Sequence, residues 1–243
     1  MTQAPTTDQA PDQAPDQATT QPCGPMCTQL TVLPVETLLE MDWADLVRRF
    51  AVGVEWFDPR LFHLAEEDLD RSFKPELGVG RMSIRALVTH LADCDLVYLH
   101  RIRRAVAEET PMLGVFDHEA FVEAPFSGPG SHGGVRTAPP VAGAVAVIHT
   151  LRRWALDWLF DMDEATQNRA ALHPERGSMT VRYLLAVITW HNEYHAAFLN
   201  AKVEKLLGPI PQTGPMPQGG CGPGCGCAAK LPNGQSGGSD ATT

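Results

Sequence analysis

The sequence predicts an all-α protein: a four-helix bundle of the up-and-down type with a disordered tail at each end. Three observations carry this. Four long segments repeat apolar residues at spacings of three and four, no strand-like alternation of comparable strength appears, and both ends differ in composition from the middle. Residues 1–34 open with MTQAPTTDQAPDQAPDQATTQP, which repeats Ala-Pro-Asp-Gln and has almost nothing apolar to bury. Residues 208–243 are rich in Gly, Pro and Ser. Residues 35–207 remain as one core, long enough to sustain itself.

The helices follow in order. In the first, Trp43, Val47, Phe50, Val54, Phe57, Leu61 and Leu64 keep a four-three rhythm through Asp58-Pro59. Proline disrupts a helix interior but suits a first turn, so a kink is expected there, or a fresh start with Asp58 as N-cap. The second opens with Ser83 as N-cap and turns Ile84, Leu87, Val88, Leu91, Tyr98 and Ile102 inward. The third, from about Val141 to Phe160, buries Ala144, Ile148, Leu151 and Ala155. A long Gly- and Pro-rich connection, roughly Glu109 to Pro140, separates these two; loops of that length are usually functional or disordered. The fourth helix starts near Thr180.

The fourth helix breaks its own pattern. Its seam runs Leu184, Ile188, His191, His195, Phe198, so two histidines stand where a bundle packs leucines. Side chains four apart on a helix lie about 5–6 Å apart at Cβ, so both imidazoles can point at one ion. A zinc-type ion wants at least three protein ligands, and the second helix offers His90, followed by Cys94 and Asp95. A helical wheel puts Asp95 inside the apolar stripe. A carboxylate there needs a partner, which a metal-bound histidine would supply. Cys94 reads most simply as a small buried residue, with room for a ligand role. Glu193 points away from the ion, towards solvent or a salt bridge. The competing reading of each histidine is a hydrogen-bonded core residue.

Charge excludes several partners. The formal net charge of −10 repels phosphate backbones and anionic lipid, so neither nucleic acid nor membrane is expected. The basic groups Arg101, Arg103 and Arg104, and Arg152 and Arg153, read as solvated faces. No run approaches 18 apolar residues and no signal peptide is visible, so a cytoplasmic location is expected.

SIRALVTHLADCDLVYLHRIRRAVAEETPMLGVFDHEAF, followed by HPERGSMTVRYLLAVITWHNEYHAAFL, resembles the DinB/YfiT-like superfamily of metalloenzymes. The resemblance covers about Trp43 to Leu206. It implies a four-helix bundle holding a divalent ion, zinc or nickel, through His90, His191 and His195. It also implies a reaction of the kind some members perform with a low-molecular-weight thiol cosubstrate. Two departures stand out: Met82-Ser83 where the family usually has Trp-Ser, and Tyr194-His195 where it often has His-His.

Five cysteines lie in the tails: Cys23 and Cys27 in CGPMC, and Cys221, Cys225 and Cys227 in CGPGCGC. Soft-metal binding by zinc or Cu(I), thiol exchange, and no defined role are all open. If the tails share one ion within a chain, an up-down-up-down order would bring the start of helix one and the end of helix four together. The expected function is a metal-dependent enzyme acting on a small molecule by transfer or hydrolysis, with Asp95 as supporting carboxylate or catalytic base. The alternatives are a metal-binding or stress-response protein without turnover, and a structural helical homodimer.

Overall fold

The computed structural model describes residues 30–123 and 140–210. Helices α1 (Val35–Glu40) and α2 (Trp43–Val52) come first. The rhythm that continues past Val52 does not stay α-helical. Gly53 has φ 48°, and a Cβ there would stand 2.6 Å from the Arg152 side chain. A glycine is therefore required on both counts. Two 3₁₀ turns follow, Gly53–Trp56 and Pro59–His63, the second capped by Asp58, whose side chain accepts from the Arg60 N–H at 2.9 Å. The fresh start at Asp58-Pro59 is thus what forms.

After the short α3 (Glu66–Leu69), α4 runs Ile84–Ala107 and is capped by Ser83, whose Oγ accepts from Ala86 N at 3.2 Å. Then come α5 (His118–Glu123), α6 (Val141–Phe160) and α7 (Glu164–Gln167). A feature absent from the sequence reading follows: β1 (Ala170–His173) and β2 (Gly177–Thr180) form an antiparallel hairpin leading into α8 (Val181–Leu207). Its strands are four residues each, too short for alternation to show, and Gly177 with φ 72° ends the turn.

Helices α2, α4, α6 and α8 form the bundle, with α2 and α4 each packed on both α6 and α8. Their directions do not alternate. Trp43 Nε1–H donates to Leu159 O and Arg152 donates to Phe50 O, so α2 and α6 are antiparallel. Arg182 lies over the Trp43 ring and Arg49 pairs with Glu193, so α2 and α8 are parallel. Asp95 meets Arg152 while Arg103 meets Trp154 and Trp158, which makes α4 and α6 parallel too. The order is up, down, down, up. Parallel neighbours need a link that returns the length of a helix, about 36 Å for the 24 residues of α4. The long connection after α4 supplies it.

This order also places the start of α2 beside the start of α8, at the opposite end from Leu207. The reason given for the tails meeting, that helix one begins where helix four ends, therefore does not hold. The tail cysteines themselves lie outside the described residues.

The interior divides into two apolar clusters. One gathers Phe50, Ile102, Leu159 and Leu184; the other gathers Leu61, Val88, Ile148 and Leu199. Each fully buried Leu, Ile or Phe contributes about 1.5–3 kcal/mol of transfer free energy. No described helix is long and apolar enough to cross a membrane.

Candidate metal centre

One face of α4 presents His90, Cys94, Tyr98 and Arg101 at steps of four, four and three. The facing side of α8 presents Val187, His191 and His195. Between them lies a cavity of about 300 Å³, lined by all seven. The α4–α5 connection contributes Val115 and Phe116, α5 contributes His118, and the hairpin contributes His173, Glu175 and Arg176. The described part of the Glu109 to Pro140 connection thus borders the cavity. The hairpin is fixed to α4 by Arg169, which donates to Ala105 O at 2.9 Å and Glu108 O at 2.7 Å.

The two helices bring His90 Nε2 to 3.2 Å from His191 Nε2. Cys94 Sγ stands 3.7 Å from His90 Nε2 and 3.8 Å from its Nδ1. Ligand atoms of His90, Cys94 and His191 all lie within 4.8 Å of one another. His195 completes the ring cluster, its centroid 4.5 Å from His191 and 5.2 Å from His90. Of the sequence-selected groups, His90, Cys94, His191 and His195 are therefore together, with Cys94 in the tightest set in the place expected for His195. A fourth imidazole, His118, lies 6.0 Å from His90 across the cavity. The sequence reading did not single it out, because it sits on the connection and not on an apolar seam.

These residues fit a divalent ion. Two nitrogens bound tetrahedrally at about 2.0–2.1 Å stand about 3.3 Å apart, close to the observed 3.2 Å. A ligand must also be neutral imidazole. Burial, with the neighbouring histidines, holds His90 and His195 down to about 4, and keeps His191 well below its usual value. His191 Nδ1, the ring nitrogen not facing His90, is buried without a partner. Burial pushes the Cys94 thiol up, helped by Asp95 and Asp93. Without an ion it is a thiol, and its Sγ becomes a good ligand only on losing that proton.

Asp95 is elsewhere. It is 1% exposed and faces α6, where Arg152 donates from Nε to Oδ2 at 2.6 Å and from NH2 to Oδ1 at 2.7 Å. Its partner is an arginine and not a metal-bound histidine, and it does not line the cavity. Arg152 is also only 1% exposed, so the solvated face expected of it is corrected: it is a buried cation. Arg101, at 6%, is corrected likewise, donating to Gly114 O at 2.8 Å. Glu193 took the second of its two expected roles, a salt bridge, with Arg49 at 2.6 Å.

Known proteins share the family and the fold. A model of the DinB superfamily matches residues 59–199. A protein of Oceanobacillus iheyensis is 24% identical over 57% of this chain and 72% of its own length. One of Bacillus licheniformis is 29% identical over 59% of this chain and 74% of its own. Both are named as candidate metal-dependent hydrolases. Among solved structures, YfiT from Bacillus subtilis matches with a TM-score of 0.51 at 19% identity, covering 72% of this chain and 89% of that one. It is described as having an unusual four-helix bundle topology. The chain belongs to the DinB superfamily.

Proposed function

We propose that the protein is a divalent-metal-dependent enzyme acting on a small molecule, with the ion, zinc or nickel, held by His90, His191 and His195. The observation that carries this is the 3.2 Å approach of two neutral imidazoles from different helices at the wall of a cavity. A structural site would be sealed by packed side chains; this one faces space bordered by exposed residues such as Val115. Three protein ligands leave coordination positions open, as catalytic sites do. Such an ion lowers the pKa of a bound water or thiol and polarises a substrate.

The chain's own residues supply the rest. His118 stands across from His90 on the cavity wall, exposed to solvent, where an imidazole can accept or deliver a proton. Trp190 and Phe116 form apolar walls that limit water around the reacting group. The reaction is hydrolysis of a small electrophile or its transfer to a low-molecular-weight thiol. Asp95 acts on the site only by fixing α4, through Arg152.

The experiment is a set of small activated esters and amides offered to the zinc- or nickel-loaded protein, with and without an added thiol. Turnover that needs the metal, disappears in His191→Ala and falls in His118→Ala supports the reading. Dependence on the thiol selects transfer over hydrolysis. A loaded protein with no turnover on any of them favours metal binding without catalysis.

A further inference from the structure

The cavity has two ends of different character. On α4, His90 and Arg101 are separated by eleven residues, about 16 Å of helix. The histidines occupy one end. At the other, α4 places Arg101 and Tyr98, β1 places His173 and the turn after it places Glu175 and Arg176. Arg101 is buried against the Tyr98 ring, with its guanidinium carbon 5.2 Å from the centroid. It spends one N–H on Gly114 O.

Among the described residues neither Arg101 nor Arg176 makes a salt bridge, although the protein is acidic, with a net charge of −10. By contrast the buried Arg152 and Arg85 are both paired with carboxylates. A buried guanidinium without a carboxylate is costly, and two facing one cavity raise the cost by mutual repulsion. Burial and the nearby Arg176 both lower the Arg101 pKa. Tyr98, kept protonated by burial, offers an O–H donor at the same place. Glu175 is the carboxylate nearest in sequence, but its backbone N–H is engaged by His173 Nδ1 at 3.2 Å and its side chain bridges neither arginine.

We propose that the cavity takes a small anion, whose carboxylate or phosphate group is held by Arg101 and Arg176 beside Tyr98 while its reacting group reaches the histidines. This names the substrate class for the enzyme proposed above and rests on that reading for the reaction, though not for the binding. The arginine fork suits a planar anionic group, and the volume, about ten waters' worth, limits the ligand to a small molecule.

The test is calorimetric titration of the full chain, both metal-loaded and chelated, with succinate, inorganic phosphate and the neutral succinamide. Succinate or phosphate should bind the metal-free protein, succinamide should not, and added salt should weaken the binding. Succinate alone assigns a carboxylate; phosphate alone assigns a phosphate. Arg101→Gln should raise the Kd about tenfold and Arg176→Gln about threefold, with Arg101→Lys retaining part of the affinity. If Arg101→Gln does not fold, the exposed Arg176→Gln decides. Equal binding of succinate and succinamide, or unchanged affinity in folded arginine variants, overturns the proposal. Metal content measured on the same samples separates the two readings. Stoichiometric metal without anion binding defeats only this one, and anion binding without metal uptake defeats only the other.

Discussion

Asp95 and Cys94 are consecutive on α4, about 100° apart around it, and face two different kinds of polar interior. On the Asp95 side every charge is answered: Arg152 grips the carboxylate with two nitrogens and spends a third group on Phe50 O. On the Cys94 side the groups are answered only by one another, and His191 Nδ1 by nothing. Both sides cost desolvation. One recovers it within the chain; the other leaves it for a ligand to recover. A buried polar cluster with a complete set of partners holds the fold, whereas an incomplete one on a cavity wall marks a site.

The largest effect that can break this comparison is on the closed side. Arg152→Ala leaves Asp95 as an uncompensated buried charge and is expected to cost about 3–5 kcal/mol, read by urea unfolding. The double change Asp95→Leu, Arg152→Met should recover much of it. His191→Ala, on the open side, should cost metal-free stability far less. Equal losses on the two sides would erase the distinction. Second, zinc at about a hundred times its Kd should stabilise the protein by about 2.7 kcal/mol, read as a rise in Tm, and should do nothing for His191→Ala.

The difference between the sides was only partly legible in the sequence. Ser83, Val141 to Phe160 and the seam pair His191 and His195 could be placed because caps and seam spacing are local signals. Asp95 could be placed in the core, but its partner is 57 residues away on another helix. No local pattern distinguishes Arg152 from the exposed Arg153 beside it. The helix directions were equally hidden, since α2 and α8 are set parallel by contacts such as Arg49 with Glu193. The hairpin and Arg176 escaped for a third reason: HPERG reads as a turn, and what the turn faces is fixed by Arg169 gripping the end of α4.

A third, smaller effect concerns protons. An unfolded imidazole titrates near 6.5, whereas His90 and His195 are held to about 4 in the folded chain. Between those values the unfolded chain binds more protons. The contribution is therefore fully present above pH 6.5 and is lost as pH falls towards about 4. Denaturation of the metal-free protein across that window should show a loss on the order of 1–2 kcal/mol, allowing for the partial exposure of His195. His195→Gln should flatten the profile, and Asp95→Asn should not. The smallest effect is Cys94→Ala, expected to cost about 1 kcal/mol from lost packing. Metal content should stay at one ion if the three histidines suffice; a fall would make the sulfur a ligand.

The most direct measurement is elemental analysis of purified full-length protein after exposure to zinc or nickel, beside His191→Ala handled in the same way, with circular dichroism verifying that both are folded. So that only the core is measured, both chains carry Ser at Cys23, Cys27, Cys221, Cys225 and Cys227. The account predicts one ion per chain in the parent and none in His191→Ala at equal helicity. A folded parent that takes up neither metal, or a His191→Ala chain that keeps its ion, would contradict it.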